Sequence, residues 1–456
     1  MIPKLHLPAR LGRTAILAGL VAAGGSGCSI YHPLPLPNRA ELTSNVGDQT
    51  PWTMDAVAGR ALRASPDLLA IRARYHVAEA QAYAAGLLPD PQASLSTDRP
   101  TDKVSSSDPR YPEYRAYGLS LSLDLQSFLL HGSTAKAASY ARDQARLDLL
   151  WQEWQTVAQS RSLYVHGALA QQRLKLLDQA GSLLTRLQRS ALATLQSRDI
   201  NLEQASADLA LLNDLQTQRG AAARELLQAR SELHALLGLQ PDAYLELGDP
   251  GTPTRPETGL LDRALLDRAI ISLPQRRPDL AALRAGYDSQ ELQLRKAVLA
   301  QFPNISVSGS RARDTSNVHT SSLGVSLSIP LFDGGRGAIA VEKATRAQLR
   351  AEYLARLDQS VADGTRLDRE IDALSSQLAD LAGRLPDLDA NQPRAEAAYL
   401  SGALAPSAYV AVFGTWLSAH TTQLDLTQAL WDDTIAYATL LGTQVEPAQS
   451  QVRAHE

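Results

Sequence analysis

Ser328-Ile-Pro-Leu-Phe-Asp-Gly-Gly-Arg336, SIPLFDGGR in one-letter code, is the stretch from which the rest of the chain can be read. It closes an alternating run in which Leu323, Val325, Leu327 and Ile329 are apolar and Ser326 and Ser328 polar, and it opens a long helical pattern. Alternation is the period of a half-buried strand, while Pro330 and the Gly334-Gly335 pair mark the break before a helix. Gly118 to Leu125, GLSLSLDL, makes the same strand-to-helix transition earlier in the chain. One strand-and-helix unit is written twice.

The duplication extends beyond the strands. ASPDLLAIRARYHVAEAQ (64–81) aligns with RRPDLAALRAGYDSQELQ (276–293) at a constant offset of 278 − 66 = 212, and Pro91 and Pro303 keep that offset. Pro66, Asp67, Leu68, Ala70, Arg72, Tyr75, Glu79 and Gln81 each meet an identical residue in the second copy. A proline followed by aspartate suits the first turn of a helix: the missing N–H costs nothing there and the carboxylate faces the positive dipole end.

After the two prolines come candidate strands, Gln92 to Thr97 and Asn304 to Arg311. Polar hairpin loops (Asp98 to Tyr114 and Ala312 to Thr320) lead to return strands Ala116 to Leu125 and Ser321 to Leu331. Strands of about 8–10 residues can cross a hydrocarbon core when tilted. Alternating Ser and Leu fits a barrel wall with lipid on one face and water on the other, and equally a soluble hairpin lying over a core.

Long helical patterns follow: Ser133 to about Gln196, about Ile200 to Gly238, Arg336 to about Leu400, and about Pro406 to Leu441-Gly442. About 64 residues at roughly 1.5 Å each span some 95 Å, and apolar residues at three- and four-residue steps make a coiled-coil seam. Pro386 and Pro393 fall inside the third pattern and are expected to kink or break it. The domain plan is therefore a first repeat at 52–240, a Pro- and Gly-rich linker at 241–258, a second repeat at 259–442 and a polar, disordered tail at 443–456.

The 456 residues carry 44 basic and 48 acidic side chains, for a formal charge of −4, and show no basic patch of the kind that binds nucleic acid. Aromatics make up only 5%, and the 44% hydrophobic content is mostly Leu and Ala, as in long helices. Lys4, Arg10 and Arg13 precede a short apolar stretch (Thr14 to Ala23) and small residues running into the single cysteine, Cys28. That is the anatomy of a secretory signal over 1–27, too short to span as a helix. The approach to Cys28 resembles a bacterial lipobox, with Gly25 where that pattern prefers Leu. The resemblance implies that Cys28 is diacylated and heads a lipid-anchored leader at 28–51, and Ser29 behind it favours the outer membrane.

Catalysis leaves no trace: the nine His are scattered without HExxH, and Gly334-Gly335-Arg336 lacks a GxxxxGK[ST] frame. No cofactor or metal is expected. Trp151 and Trp154 suggest either a ligand platform or core and membrane-boundary residues. Asp432-Asp433 reads as a solvated helix face.

The doubled PDL…Y…Q helix, Phe302-Pro303 before a strand, SIPLFDGGR before a long helix, and YLSG at 399–402 together resemble the outer membrane efflux proteins, the TolC-like family, over Trp52 to Gly442. The resemblance implies a mainly α fold with a small β part. Each protomer gives four strands to a shared 12-stranded transmembrane β-barrel, and long coiled-coil helices build an α-barrel across the periplasm of a homotrimer. It implies an exit duct for a tripartite efflux or secretion system, not an enzyme, working with a periplasmic adaptor (membrane fusion) protein and an inner-membrane pump. In the family, acids near the periplasmic helix turns narrow the tunnel mouth. Here Asp199 and Glu203 stand at the first turn, although Asp199 also suits an ordinary helix cap. At the second turn, GALAPSAYVAV (402–412) has Ala408 near the usual acid and no carboxylate before Asp425, so closure there falls to Leu404 or Tyr409. GALAPSAYV is also similar to the branch serving heavy-metal and cation exporters. The competing reading is a lipid-anchored periplasmic coiled-coil scaffold or adaptor, which needs no duplicated lipid-facing strands.

Overall fold

The computed structural model describes residues 31–44, 51–99, 115–195, 202–253 and 271–442. The described residues 31–42 belong to a unit of their own and contain no helix or strand. The second unit, from Thr43 onward, contains the following elements in chain order. They are α1 (Met54–Ala64), α2 (Pro66–Gly86), β1 (Gln92–Asp98), β2 (Ala116–Asp124), α3 (Leu125–Leu195), α4 (Leu202–Leu236), α5 (Pro278–Leu299), β3 (Asn304–Arg313), β4 (His319–Ser328), α6 (Arg336–Leu400) and α7 (Pro406–Leu441).

Pro66 and Pro278 both occupy the first turn of their helices, as the duplicated motif predicts. The repeat also preserves a side-chain pair: Tyr75 donates to Glu79 at 2.9 Å, and Tyr287 to Glu291 at 2.8 Å. These are i,i+4 neighbours on a helix surface.

Helix α3 runs for 71 residues and α6 for 65, about 106 and 98 Å at 1.5 Å per residue. α3 starts eight residues earlier than Ser133, directly after β2. The Asp124 carboxylate supplies the reason, accepting from the Gln126 N–H at 3.0 Å and the Ser127 hydroxyl at 2.5 Å. These bonds cap the helix without an intervening turn.

α3 packs against α1, α2, α4, α5 and α7, and α6 packs against α5 and α7. The α3–α4 seam passes Gly181 and Leu215, with Arg219 paired to Asp178. Of the kink or break expected at Pro386 and Pro393, the break does not occur, since α6 continues through both to Leu400. Both lie on its exposed face, where water can satisfy the carbonyls they leave unpaired.

Residues 241–253 are no loose linker. Leu239, Leu245 and Leu247 are buried with Trp52, Val57, Tyr164, Leu233 and Trp431 in a single core. Trp52 pairs with Leu247 through backbone bonds of 2.8 Å to the Glu246 carbonyl and 3.1 Å from the Gly248 N–H, and the Tyr164 hydroxyl donates to the Trp52 carbonyl at 2.9 Å. This described part of the linker is thus built into the core.

The two expected hairpins join as one antiparallel sheet in the order β1-β2-β3-β4, because β2 of the first half pairs with β3 of the second. β4 stops at Ser328, three residues before the expected end, where Pro330 cannot donate to a ladder. The second hairpin loop is also shorter than expected: Arg313 pairs with His319, and the Asp314 carboxylate accepts from the N–H groups of Ser316 and Val318 while Asn317 takes φ 67°. Asparagine tolerates that left-handed conformation.

Candidate functional site

Register decides what the sheet can do. Directly opposed residues share a face of an antiparallel sheet. Five such rows read Thr97–Tyr117–Arg313–His319, Leu95–Leu119–Arg311–Ser321, Ala93–Leu121–Gly309–Leu323, Leu123–Val307–Val325 and Ile305–Leu327. The opposite face carries Ser94, Ser96, Gly118, Ser120, Ser122, Ser306, Ser308, Ser310, Ser322, Gly324 and Ser326. One face is a Leu/Val/Ile band, the other a field of small hydroxyls.

Exposure follows the same division on the inner strands: along β2 the apolar positions Tyr117, Leu119 and Leu121 are exposed while the intervening small residues are half-buried, and the edge strands β1 and β4 are exposed on both faces. Leu323 is 82% exposed and Leu95 79%; neither lies over a core. The middle of the sheet is therefore apolar and uncovered where a soluble hairpin would lie over a core, which argues against the soluble-hairpin alternative. From the Ile305 row to the Arg313 row is eight steps of about 3.4 Å, or roughly 27 Å along the strand and some 21 Å at a tilt of about 40°. The span is on the ~25 Å scale of an outer-membrane barrel wall, with the rows from Ile305 to Gly309 free of charge and Arg311 and Arg313 in the two rows at the hairpin end. Among the described residues, no helix is long and apolar enough to cross a membrane.

The far end of the molecule is the α6–α7 turn. Gly402 takes φ 76° after α6 and Pro406 opens α7. An aromatic ladder holds the turn: Tyr399 stacks on Tyr409 (5.2 Å), Tyr409 on Phe413 (6.2 Å), and Phe413, Trp416 and His420 continue it. The indole N–H of Trp416 donates to Asp389 at 2.8 Å, and His420 Nε2 lies 2.8 Å from the same oxygen. The His420 and Trp416 hydrogen bonds hold the Asp389 carboxyl below its ordinary value. The spacing 409, 413, 416, 420 was visible in the sequence as one helix stripe; its partner Asp389 was not.

Of the sequence-derived constriction residues, Tyr409 is wholly buried, packed with Phe413, Leu177 and Leu215. A ring with no exposed surface cannot itself close a passage; it supports the turn. Leu404 stays half-buried beside it. Glu203 is the second residue of α4, and Cys28 and Asp199 lie outside the described residues.

Trp151 and Trp154 are neither a membrane-boundary pair nor a free platform. Trp151 is 26 residues into α3, about 39 Å from the sheet. Its ring carries the guanidinium of Arg277 at 4.9 Å and that of Arg356 at 5.8 Å. Both arginines converge on Asp279, with Arg277 bonds of 2.9 and 2.5 Å and an Arg356 bond of 2.7 Å. Burial pushes the Asp279 carboxyl up, but the hydrogen bonds and charges of the two arginines overcome it and leave it below its ordinary value. Trp154 packs against Gly442, the φ 70° residue ending α7.

Asp432 is also more than a solvated acid. It accepts from Ser162 at 2.8 Å and sits 2.8 Å from His166 Nε2, joining α7 to α3. The Asp432 hydrogen bond raises the His166 pKa above its ordinary 6.5, against the opposing effect of burial and with help from the charges of Asp432, Glu225 and Glu232. A raised histidine pKa contributes stability that is complete below about pH 6.5 and lost as pH rises through the folded value. Thermal unfolding of the wild type and of His166→Gln should therefore differ most at pH 5.5 and converge towards pH 9; a gap constant with pH would refute this assignment.

The Outer membrane efflux protein family model matches residues 270–443. The pyoverdine export outer membrane protein OpmQ of Pseudomonas aeruginosa is 30% identical over 356 residues, 71% of each chain. The chain belongs to the outer membrane efflux protein family. A further relative, the cobalt-zinc-cadmium resistance protein CzcC of Cupriavidus metallidurans, is 25% identical over 256 residues, 53% of this chain and 55% of that protein. The Campylobacter jejuni CmeC outer membrane channel shares the fold at a TM-score of 0.72 and 14% identity, over 91% of this chain and 95% of that one. The TolC-like architecture expected from the doubled motif is the observed one.

Proposed function

We propose that the protein is the outer-membrane exit duct of a tripartite efflux system, passive in itself and fed by an inner-membrane pump through a periplasmic adaptor. The observation that carries this reading is the two-faced sheet with both edges open, mounted on helices about 100 Å long. Unpaired edges of β1 and β4 are not tolerated in hydrocarbon, so the sheet must close with copies of itself. Three copies make a 12-stranded homotrimeric barrel with the serine face towards water. The long helices then line the periplasmic tunnel, and the α6–α7 turn with Leu404, and the α3–α4 turn with Asp199 and Glu203, lie at its mouth.

A serine-lined wall offers small hydroxyls and little charge, so selection among substrates rests with the pump. Cys28, diacylated after signal removal, would anchor the leader in the same membrane. The similarity to both a pyoverdine export protein and a metal-resistance protein supports the duct role without choosing a substrate.

Light scattering on protein extracted from outer membranes, corrected for bound detergent, is expected to give somewhat under three times the 49.1 kDa precursor mass. A monomer or dimer that stays soluble without detergent once Cys28 is replaced would overturn the duct in favour of a lipid-anchored periplasmic scaffold.

A further inference from the structure

We infer that the exposed face of α2, carrying Ala70, Ala73, Arg74 and Val77, is the docking surface for α6 of a second copy of this chain, at Val341 and Gln348. The inference rests on the duct reading, in which the open sheet edges close on neighbouring protomers.

The duplication supplies a template for the contact. Within the chain β2 pairs with β3, and this sets α3, which follows β2, beside α5, which precedes β3. Closing β4 on a neighbour's β1 repeats the arrangement, setting α6, which follows β4, beside the neighbour's α2, which precedes β1. A second matched motif fixes the register of the long helices: RDQAR at 142–146 and RAQLR at 346–350 share Arg, Gln and Arg at an offset of 346 − 142 = 204. In each copy its first arginine attends the glutamate of the short helix. Arg346 lies 3.3 Å from Glu291, and the charge of Arg142 acts on Glu79.

The two short helices differ in what covers them. Ala282, Ala285 and Gly286 of α5 are buried, while the matching Ala70, Ala73 and Arg74 of α2 are exposed. The cover of α5 is α3: the Ser289 hydroxyl donates to the Ala137 carbonyl at 2.9 Å, and the Gln144 side chain lies 2.8 Å from where a Cβ on Gly286 would stand. Moving these contacts by 212 on the short helices and 204 on the long ones places Val77 against Val341 and Arg74 against Gln348. Val77 is 56% exposed and Val341 63%, so the contact removes apolar surface from water on both sides. Gln348 donates to Glu352, one turn on, at 2.8 Å, and that carboxylate supplies a counter-charge for Arg74 in the same seam.

The test oxidises paired cysteines in isolated outer membranes and reads the products on a non-reducing gel. Chains with two different tags, one carrying Val77→Cys and the other Val341→Cys, are co-expressed, and each variant alone controls for Cys28. A disulfide needs β-carbons about 4 Å apart, so only seated side chains link. The mixed membranes should give a dimer band carrying both tags, and a chain with both substitutions a covalent trimer and nothing larger. Ala137→Cys/Ser289→Cys, the same seam within one chain, should oxidise without a rise in mass. Lys343→Cys, two residues on and on another side of α6, should not link to Val77→Cys.

Absence of the mixed-tag band, where light scattering after extraction still finds a trimer, would overturn this seam alone. So would a Val77→Cys/Val341→Cys chain that links only within itself, which would place α2 on its own α6. Equal linking by Lys343→Cys would overturn the register. A wild type that does not trimerise, or links running past three chains, would instead strike the duct reading.

Discussion

Arginine in place of Leu323 is expected to abolish accumulation of the protein in the outer membrane, while arginine in place of Ser322 is not. Leu323 lies in the middle of the five rows of this face, opposite Gly309 and in line with Leu121 and Ala93. A basic side chain on the lipid face at the bilayer midplane costs about 2–4 kcal/mol. In a trimeric barrel the substitution occurs three times, for a total of roughly 6–12 kcal/mol, comparable to the whole stability of an ordinary domain. Ser322 pairs with Ser310 on the hydroxyl face, where the same charge would stand in water.

Membrane fractionation with a crosslinking assay for the trimer separates the two variants. Loss of both would mean that each face is packed, and retention of both would mean that neither meets lipid. Only loss of Leu323→Arg with retention of Ser322→Arg agrees with the register. Conductance in a planar bilayer adds a second readout, since three arginines on the inner wall should shift ion selectivity towards anions.

Asp279→Ala should be the most destabilising single change in the helical body. Arg277 is only 3% exposed at its side chain and Asp279 10%, so removing the carboxylate leaves a buried guanidinium without its anion. Breaking a buried pair in this way costs about 3–5 kcal/mol. The corresponding residue of the first repeat, Asp67, is exposed and has Ser65 in place of Arg277, so Asp67→Ala should stay within about 0.5 kcal/mol. Thermal unfolding of the two alanine variants side by side tests the asymmetry; equal losses would show that the duplicated motif, not the arginine pair, carries the stability.

The pH dependence has a definite sign. A carboxyl held below its ordinary 3.8 contributes stability that is complete above that value and lost as pH falls through the folded one. The Asp279 contribution is therefore flat across pH 5 to 8 and disappears only in stronger acid. His166 behaves oppositely, so the wild type should lose its two pairs at opposite ends of the scale.

What could be read along the chain was whatever a local spacing encodes. Alternating Ser and Leu in SLSIP and GLSLSL identified strands, because side chains point to opposite faces at every step. Pro66 and Pro278, and the glycines 402 and 442, marked helix ends because their backbone preferences act within one turn. The offset of 212 revealed the duplication and, through it, the family. What depended on residues far apart was not legible. That β2 would pair with β3, joining two hairpins into one sheet whose apolar rows align, is a contact between residues nearly two hundred positions apart. The same holds for Arg356 reaching Asp279 beneath Trp151, and for Asp389 meeting Trp416 and His420.

The prolines of α6 show the converse. Pro386 and Pro393 carry a local penalty that predicts a kink or a break, and tertiary packing prevents the break: Leu381 and Leu385 are buried, while both prolines face outward. Sequence determined the elements, their ends and their doubling, since these follow from short-range sterics and hydrogen bonding. Tertiary structure decided register, the sheltered face of the inner strands and the partners of the buried charges, since each depends on which distant surfaces meet.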